Sequence, residues 1–122
     1  MTATIALSGD VIIFHEVGAD GKKAYDVLQS ADVAFCNLEL PLTTSKRAED
    51  KGVVIKGHPK LAHELKRLGV DLVTIANNHM MDFGDEGLRD TIKALDSAGV
   101  DHVGAGENLS DSLEFVVREI DG

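Results

Sequence analysis

Three observations predict an α/β fold with a largely parallel sheet and flanking helices. Short apolar, β-branched runs alternate with segments of helical periodicity, in the order strand, helix, strand, helix, strand, helix, strand. The connections between successive strands are too long for hairpins, so the strands pair through crossovers. Glycines and polar residues stand where each run should stop. At about 150 residues per domain, 122 residues make one domain at most.

The elements follow in order. Thr4 to Phe14 is mostly apolar and β-branched, interrupted by Ser8-Gly9-Asp10, and reads as a buried strand that ends at or bulges around Gly9. Ala19-Asp20-Gly21 reads as a loop. Lys22 to Ser30 is a helix that sets Ala24, Val27, Leu28 and the following Ala31 on one face. Asp32 to Leu38 is a short buried strand meeting a polar stop at Asn37, Glu39 and Pro41. Residues 42–52 carry almost nothing to bury and read as a loop with solvated charges. Val53 to Ile55 fits a short strand. His58-Pro59 opens a helix in which Leu61, Leu65 and Leu68 repeat at helical spacing, and Gly69 closes it.

Val70 to Ala76 is the clearest strand, followed at once by Asn77-Asn78-His79. The next helix starts at Asp85 or a neighbour, stacks Leu88, Ile92 and Leu95, and ends at Gly99. Val100 to Val103 is a strand running into Gly104-Ala105-Gly106, and Glu114 to Ile120 reads as a last strand. Asp121-Gly122 is the favoured centre of a two-residue hairpin turn, so the expectation is the front part of a longer protein, cut at a turn.

Twelve Lys and Arg against 21 Asp and Glu give a net charge of −9, which repels nucleic acid and anionic membrane surfaces. The single Cys36 makes no internal disulfide and reads as an inert core residue. No apolar run approaches the roughly 18 residues of a membrane span, and Met1 to Leu7 is too short and uncharged for a signal peptide. The expectation is a soluble, cytoplasmic chain.

In an open parallel sheet, ligands sit beyond the carboxyl ends of the strands. Three polar stops fall at that edge: Asp10, Asn37 with Glu39, and Asn78 with His79. Two carboxylates, two amide oxygens and an imidazole suit a divalent ion such as Mn, Mg, Zn or Fe. Their spacing equally suits strand-end turns or helix caps at Asp10 and Glu39, a tight turn at Asn77-Asn78, and a half-buried imidazole at His79.

Four blocks narrow this: Ser8-Gly9-Asp10; Asn37-Leu38-Glu39-Leu40-Pro41-Leu42-Thr43; Ala76-Asn77-Asn78-His79 with Asp82, Gly84 and Gly87; and Thr91, Leu95, Gly99 with Gly104-Ala105-Gly106-Glu107-Asn108. From about Thr4 to the end, their order and spacing resemble the CapA family of capsule biosynthesis (poly-γ-glutamate synthesis), a branch similar to the calcineurin-like metallophosphoesterases. The resemblance implies a layered αββα sandwich with two divalent ions where strand ends meet. It implies Asp10 as the first metal ligand, Glu39 in place of the bridging carboxylate with Asn37 beside it, and Asn78 as the ligand amide. His79 would face a scissile phosphoester, with Asp82 orienting His79 or the loop. The implied substrate is a polyanionic polymer or a phosphoester, and the remainder of the full-length chain is an implied partner. Family members are often associated with the cell envelope.

The chain departs from the wider superfamily in having no His two residues after Asp10, where Ile12 stands; His15 is the nearest substitute and is expected to be exposed. The superfamily's later histidine motifs would fall beyond residue 122, so this stretch alone is expected to be inactive. Two other functions remain open: a non-catalytic scaffold of the same fold, and a nucleotide-binding Rossmann-like module. For the second, Gly104-Ala105-Gly106 lacks a third glycine, Leu109 standing in its place. Asn108 or Ser110 reads as a helix cap, Met80-Met81 as packing behind the His79 loop, and His58, His63 and His102 as ordinary surface or partly buried histidines. The terminal run Phe115-Val116-Val117 is expected to lie at or near a sheet edge, and that exposed strand edge to favour self-association.

Overall fold

The computed structural model describes residues 2–18 and 22–120. Strands β1 (Ile5–Val11), β2 (Val33–Leu38), β3 (Leu72–Thr74) and β4 (Asp101–Val103) form one all-parallel sheet in sequential order. Helices α1 (Lys22–Ser30), α2 (Leu61–Arg67) and α3 (Gly84–Ala98) cross between them, and a short α4 (Leu109–Ser112) follows β4. The fold is therefore α/β, with helices flanking a parallel sheet. A single sheet is present among the described residues.

Side-chain spacing explains where the core sits. In β2 the alternate residues Ala34, Cys36 and Leu38 are buried, while Val33, Phe35 and Asn37 on the other face are half-exposed. Leu61, Leu65 and Leu68, one helical turn apart, are buried against this first face together with Leu88 and Leu95 of α3. Tyr25 and Leu28 of α1 pack against the same cluster, so α1, α2 and α3 share one side of the sheet. Gly69 and Gly99 stop α2 and α3 with φ of +96° and +69°, conformations that side chains resist. Burial raises the Cys36 thiol to about 11, as an inert core cysteine should show.

Several expectations need correction. β1 bulges between Leu7 and Asp10 as expected, but it is an edge strand and is not buried: Ile5 and Leu7 are 60% and 75% exposed. Apolar composition cannot say whether a second layer covers a strand. On α1, Val27 points to solvent and Tyr25 turns inward instead. Residues 53–55 form no strand; the parallel contact in this region is a single bridge between Leu42 and Gly57. β3 keeps only three of the seven residues expected, because its neighbours β2 and β4 pair with it only at Leu72–Thr74. Residues 114–120 find no strand to pair with among the described residues and run irregularly. The expectations for Ala19-Asp20-Gly21, for the side chain of Ala24 and for Asp121-Gly122 fall outside the described residues.

The 42–52 segment is irregular, but its start is not merely solvated. Leu42, Thr43 and Ser45 are buried. Leu42 N donates to Thr91 Oγ1 at 2.8 Å, Thr43 Oγ1 donates to Asp90 Oδ2 at 2.5 Å, and Ser45 Oγ donates to Glu86 Oε2 at 2.8 Å. A strap is thus stitched onto α3 before it returns at Gly57. Among the described residues no helix is long and apolar enough to cross a membrane.

Candidate functional site

The bulge in β1 brings Asp10 into register with Asn37 at the carboxyl edge of the sheet. Asn37 Nδ2 donates to Asp10 Oδ1 at 2.7 Å, and Asn37 Oδ1 accepts from Asn77 Nδ2 at 3.0 Å. Asn77 Nδ2 also donates to the Leu38 carbonyl at 2.8 Å. One hydrogen-bonded line therefore ties the ends of β1 and β2 to the segment that follows β3. The other end of the Asn77 amide caps the turn beyond it, Oδ1 accepting from His79 N at 3.1 Å and Met80 N at 3.0 Å. No residue other than glycine has a positive φ among the described residues, so the two asparagines are not there to relieve a left-handed turn.

His79 is half-buried, and its Nδ1 lies 2.8 Å from Asp82 Oδ2. An ionised carboxylate only accepts, so Nδ1 carries the proton and a neutral His79 presents the lone pair of Nε2. Asp82 is fully buried. Its Oδ2 also accepts from Ile55 N at 2.8 Å, its Oδ1 meets the Lys51 ammonium, and its carbonyl accepts from Glu49 N at 2.9 Å. Burial pushes the carboxyl up, but Lys51, the Ile55 amide and His79 together hold it below the usual carboxylate range. Lys51 Nζ donates to the Asn78 carbonyl as well, at 2.8 Å.

The structure thus brings together Asp10 with Asn37, and His79 with Asp82. Asn78 is exposed beside them with its side chain unpaired among the described residues. Glu39 is half-buried; its backbone N donates to Val11 O at 3.1 Å while its carboxylate makes no hydrogen bond among the described residues. Asn37 is engaged at both amide atoms, so it aligns Asp10 and Asn77 rather than offering a free ligand oxygen. These donors are oxygens and an imidazole nitrogen, chemistry that fits a hard or borderline divalent ion. Among the described residues, no three His, Cys, Asp or Glu side chains gather into a group that could hold one. Among the described residues, the donors left open at this edge are Asp10 Oδ2, the Glu39 carboxylate, the Asn78 amide and His79 Nε2.

Two participants escaped the sequence reading. Asn77 is the hub of the line; its position in the asparagine pair was a signal, though nothing marked it apart from Asn78. Lys51 sits in the strap read as solvated surface, with no signal in its neighbours.

The remaining candidates take ordinary roles. His15, His58 and His63 are exposed, and His102 Nε2 faces Asp96 Oδ1 at 3.2 Å. Gly104, at φ +94°, turns the chain tightly against Ala76, and Asn108 Oδ1 caps α4 by accepting from Asp111 N at 3.1 Å. Met80 is buried behind the His79 turn, while Met81 is exposed.

The profile of the family described as "Bacterial capsule synthesis protein PGA_cap" matches residues 4–122. The chain is 33% identical over 99 residues to the "Capsule biosynthesis protein CapA" of Bacillus anthracis, covering 78% of this chain and 24% of that protein. It is 31% identical over 108 residues to the "PGA biosynthesis protein CapA" of Bacillus subtilis, covering 85% and 28%. A "Probable polyglutamine synthesis accessory protein" of Mycobacterium tuberculosis is 41% identical over 81 residues, covering 66% and 21%. The chain spans about a quarter of the length of the curated relatives it matches.

Proposed function

From the premise that the chain belongs to the bacterial capsule synthesis protein family, we propose that its strand-end edge is part of a metal-dependent, phosphoesterase-like site serving an anionic capsule polymer such as poly-γ-glutamate. One observation carries this reading: Asp10, Asn37 and Asn77 form a continuous hydrogen-bonded line across the strand ends, beside a His79 whose orientation a buried carboxylate holds. Asp10, Glu39, the Asn78 amide and His79 Nε2 are the groups that would meet a divalent ion and the substrate. A bound divalent ion would acidify a water molecule and stabilise charge developing on a phosphoryl oxygen. His79, protonated at Nε2 and held at Nδ1 by Asp82, can give a proton to a leaving oxygen.

The rival reading is a non-catalytic scaffold of the same fold. It draws support from the absence, among the described residues, of a group of three metal-holding side chains, and from the full engagement of Asn37. Manganese stoichiometry on the chain and on its Asp10→Ala and Glu39→Ala variants separates the two. Retained manganese that both variants lose, with the fold intact by circular dichroism, supports the metal reading. Equal manganese on all three favours the scaffold; no manganese on the parent chain leaves a half-site awaiting the rest of the protein or a scaffold, and the same measurement on the full-length protein separates those two.

A further inference from the structure

We infer that Lys51 is a positioning residue for the Asn78–His79 turn, an inference that rests on reading that turn as part of the site. The strap leaves α3 at Ser45, and its tip returns so that a single ammonium meets both the Asn78 carbonyl and Asp82 Oδ1. An exposed ion pair adds little, because both partners stay hydrated. Here the carboxylate is fully buried while the lysine side chain is 36% exposed, so the Asp82 end of the contact is shielded from water.

Three grips then hold the turn. Asn77 Oδ1 takes the His79 and Met80 amides, Lys51 takes the Asn78 carbonyl, and Asp82 takes His79 Nδ1. With those groups occupied, the Asn78 side-chain amide and His79 Nε2 are left to face a ligand. Lys51 also aims Asp82: the ammonium draws Oδ1, and that orientation sets Oδ2 against His79 and the Ile55 amide. Without the cation, Asp82 Oδ1 would be a buried carboxylate oxygen facing no charge, and the carboxylate would turn. That change loosens its hold on the imidazole.

The test is the imidazole ¹⁵N spectrum of the metal-free chain at about pH 8, where an ordinary histidine is neutral. The parent chain should show His79 as one tautomer, protonated at Nδ1. Lys51→Met should give mixed tautomers and roughly tenfold faster amide exchange from Asn78 to Met80, with α3 exchange unchanged. Lys51→Arg should restore the single tautomer. If Lys51→Met proves too unstable, Lys51→Gln is read in the same way. A Lys51→Met or Lys51→Gln chain that keeps the pure Nδ1 tautomer and parental exchange overturns the inference. Because no metal is present, this result is independent of the manganese experiment, and either claim can fail alone.

Discussion

Asn37 spends its amide on two partners, donating to the Asp10 carboxylate at 2.7 Å while accepting from Asn77 at 3.0 Å. It is the link between β1 and the turn after β3. Replacing it with leucine of similar size removes both bonds and leaves Asp10 and Asn77 to water. A net loss of about 1 kcal/mol is expected, because these groups are only partly buried and solvent replaces what is lost. Urea denaturation measures this; a loss several-fold larger would mean that the line carries more than alignment.

Glu64 predicts an acid weakness remote from the site. Its carboxylate accepts from Arg67 Nε at 2.7 Å and from Val17 N at 2.8 Å, fastening the segment after β1 onto α2. The Arg67 guanidinium pulls its pKa down, burial opposes this, and the Val17 amide adds to the lowering. A carboxyl depressed in the folded state contributes stability above its unfolded pKa and loses that contribution as pH falls through its folded value. Urea midpoints should therefore fall on acidification below about pH 5, and more steeply for the parent than for Glu64→Gln. Equal slopes would show that the pair adds nothing.

Gly104 should tolerate no side chain. Its φ of +94° lies where L residues are strained, and an added Cβ would sit 2.6 Å from Ala76 Cβ and 3.2 Å from Thr74 Oγ1. Gly104→Ala should cost about 2 kcal/mol or more. Thermal unfolding of the variant checks this, and an unchanged midpoint would mean that the β4 turn relaxes freely.

The fold was legible where one chain segment decides its own structure. Leu61, Leu65 and Leu68 needed only helical spacing, and Gly69 and Gly99 only the freedom of a glycine. Burial of β1 was not legible, because Ile5 and Leu7 look the same in sequence whether or not another layer lies over them. Phe115 and Val117 have strand composition, but among the described residues no neighbouring strand gives them hydrogen bonds. At the candidate site, Asp10, Asn37 and His79 were legible as polar stops after apolar strands. Lys51 did not, since its meeting with Asn78 and Asp82 depends on the path of a strap 27 residues away from Asn78 in sequence.

The open face of the sheet yields the last prediction. Ile5 pairs in register with Val33, and Leu7 with Phe35, which pairs in turn with Leu72; these residues lie opposite the helices. Leu7 is 75% and Ile5 60% exposed, and the outer edge of β1 is unpaired among the described residues. An apolar face beside a free strand edge favours association with a second copy. The net charge of −9 opposes it. The apolar contact is short-ranged and insensitive to salt, whereas the repulsion is screened within roughly 10 Å at 0.1 M salt. Raising salt should therefore drive the 13.0 kDa chain toward larger species in light scattering. An association held by ion pairs would respond in the opposite sense. Leu7→Lys should keep the chain monomeric at every salt concentration, because it adds charge to the face and removes its most exposed strand residue. Association undiminished in that variant would place the contact elsewhere, at the exposed Phe115 and Val117.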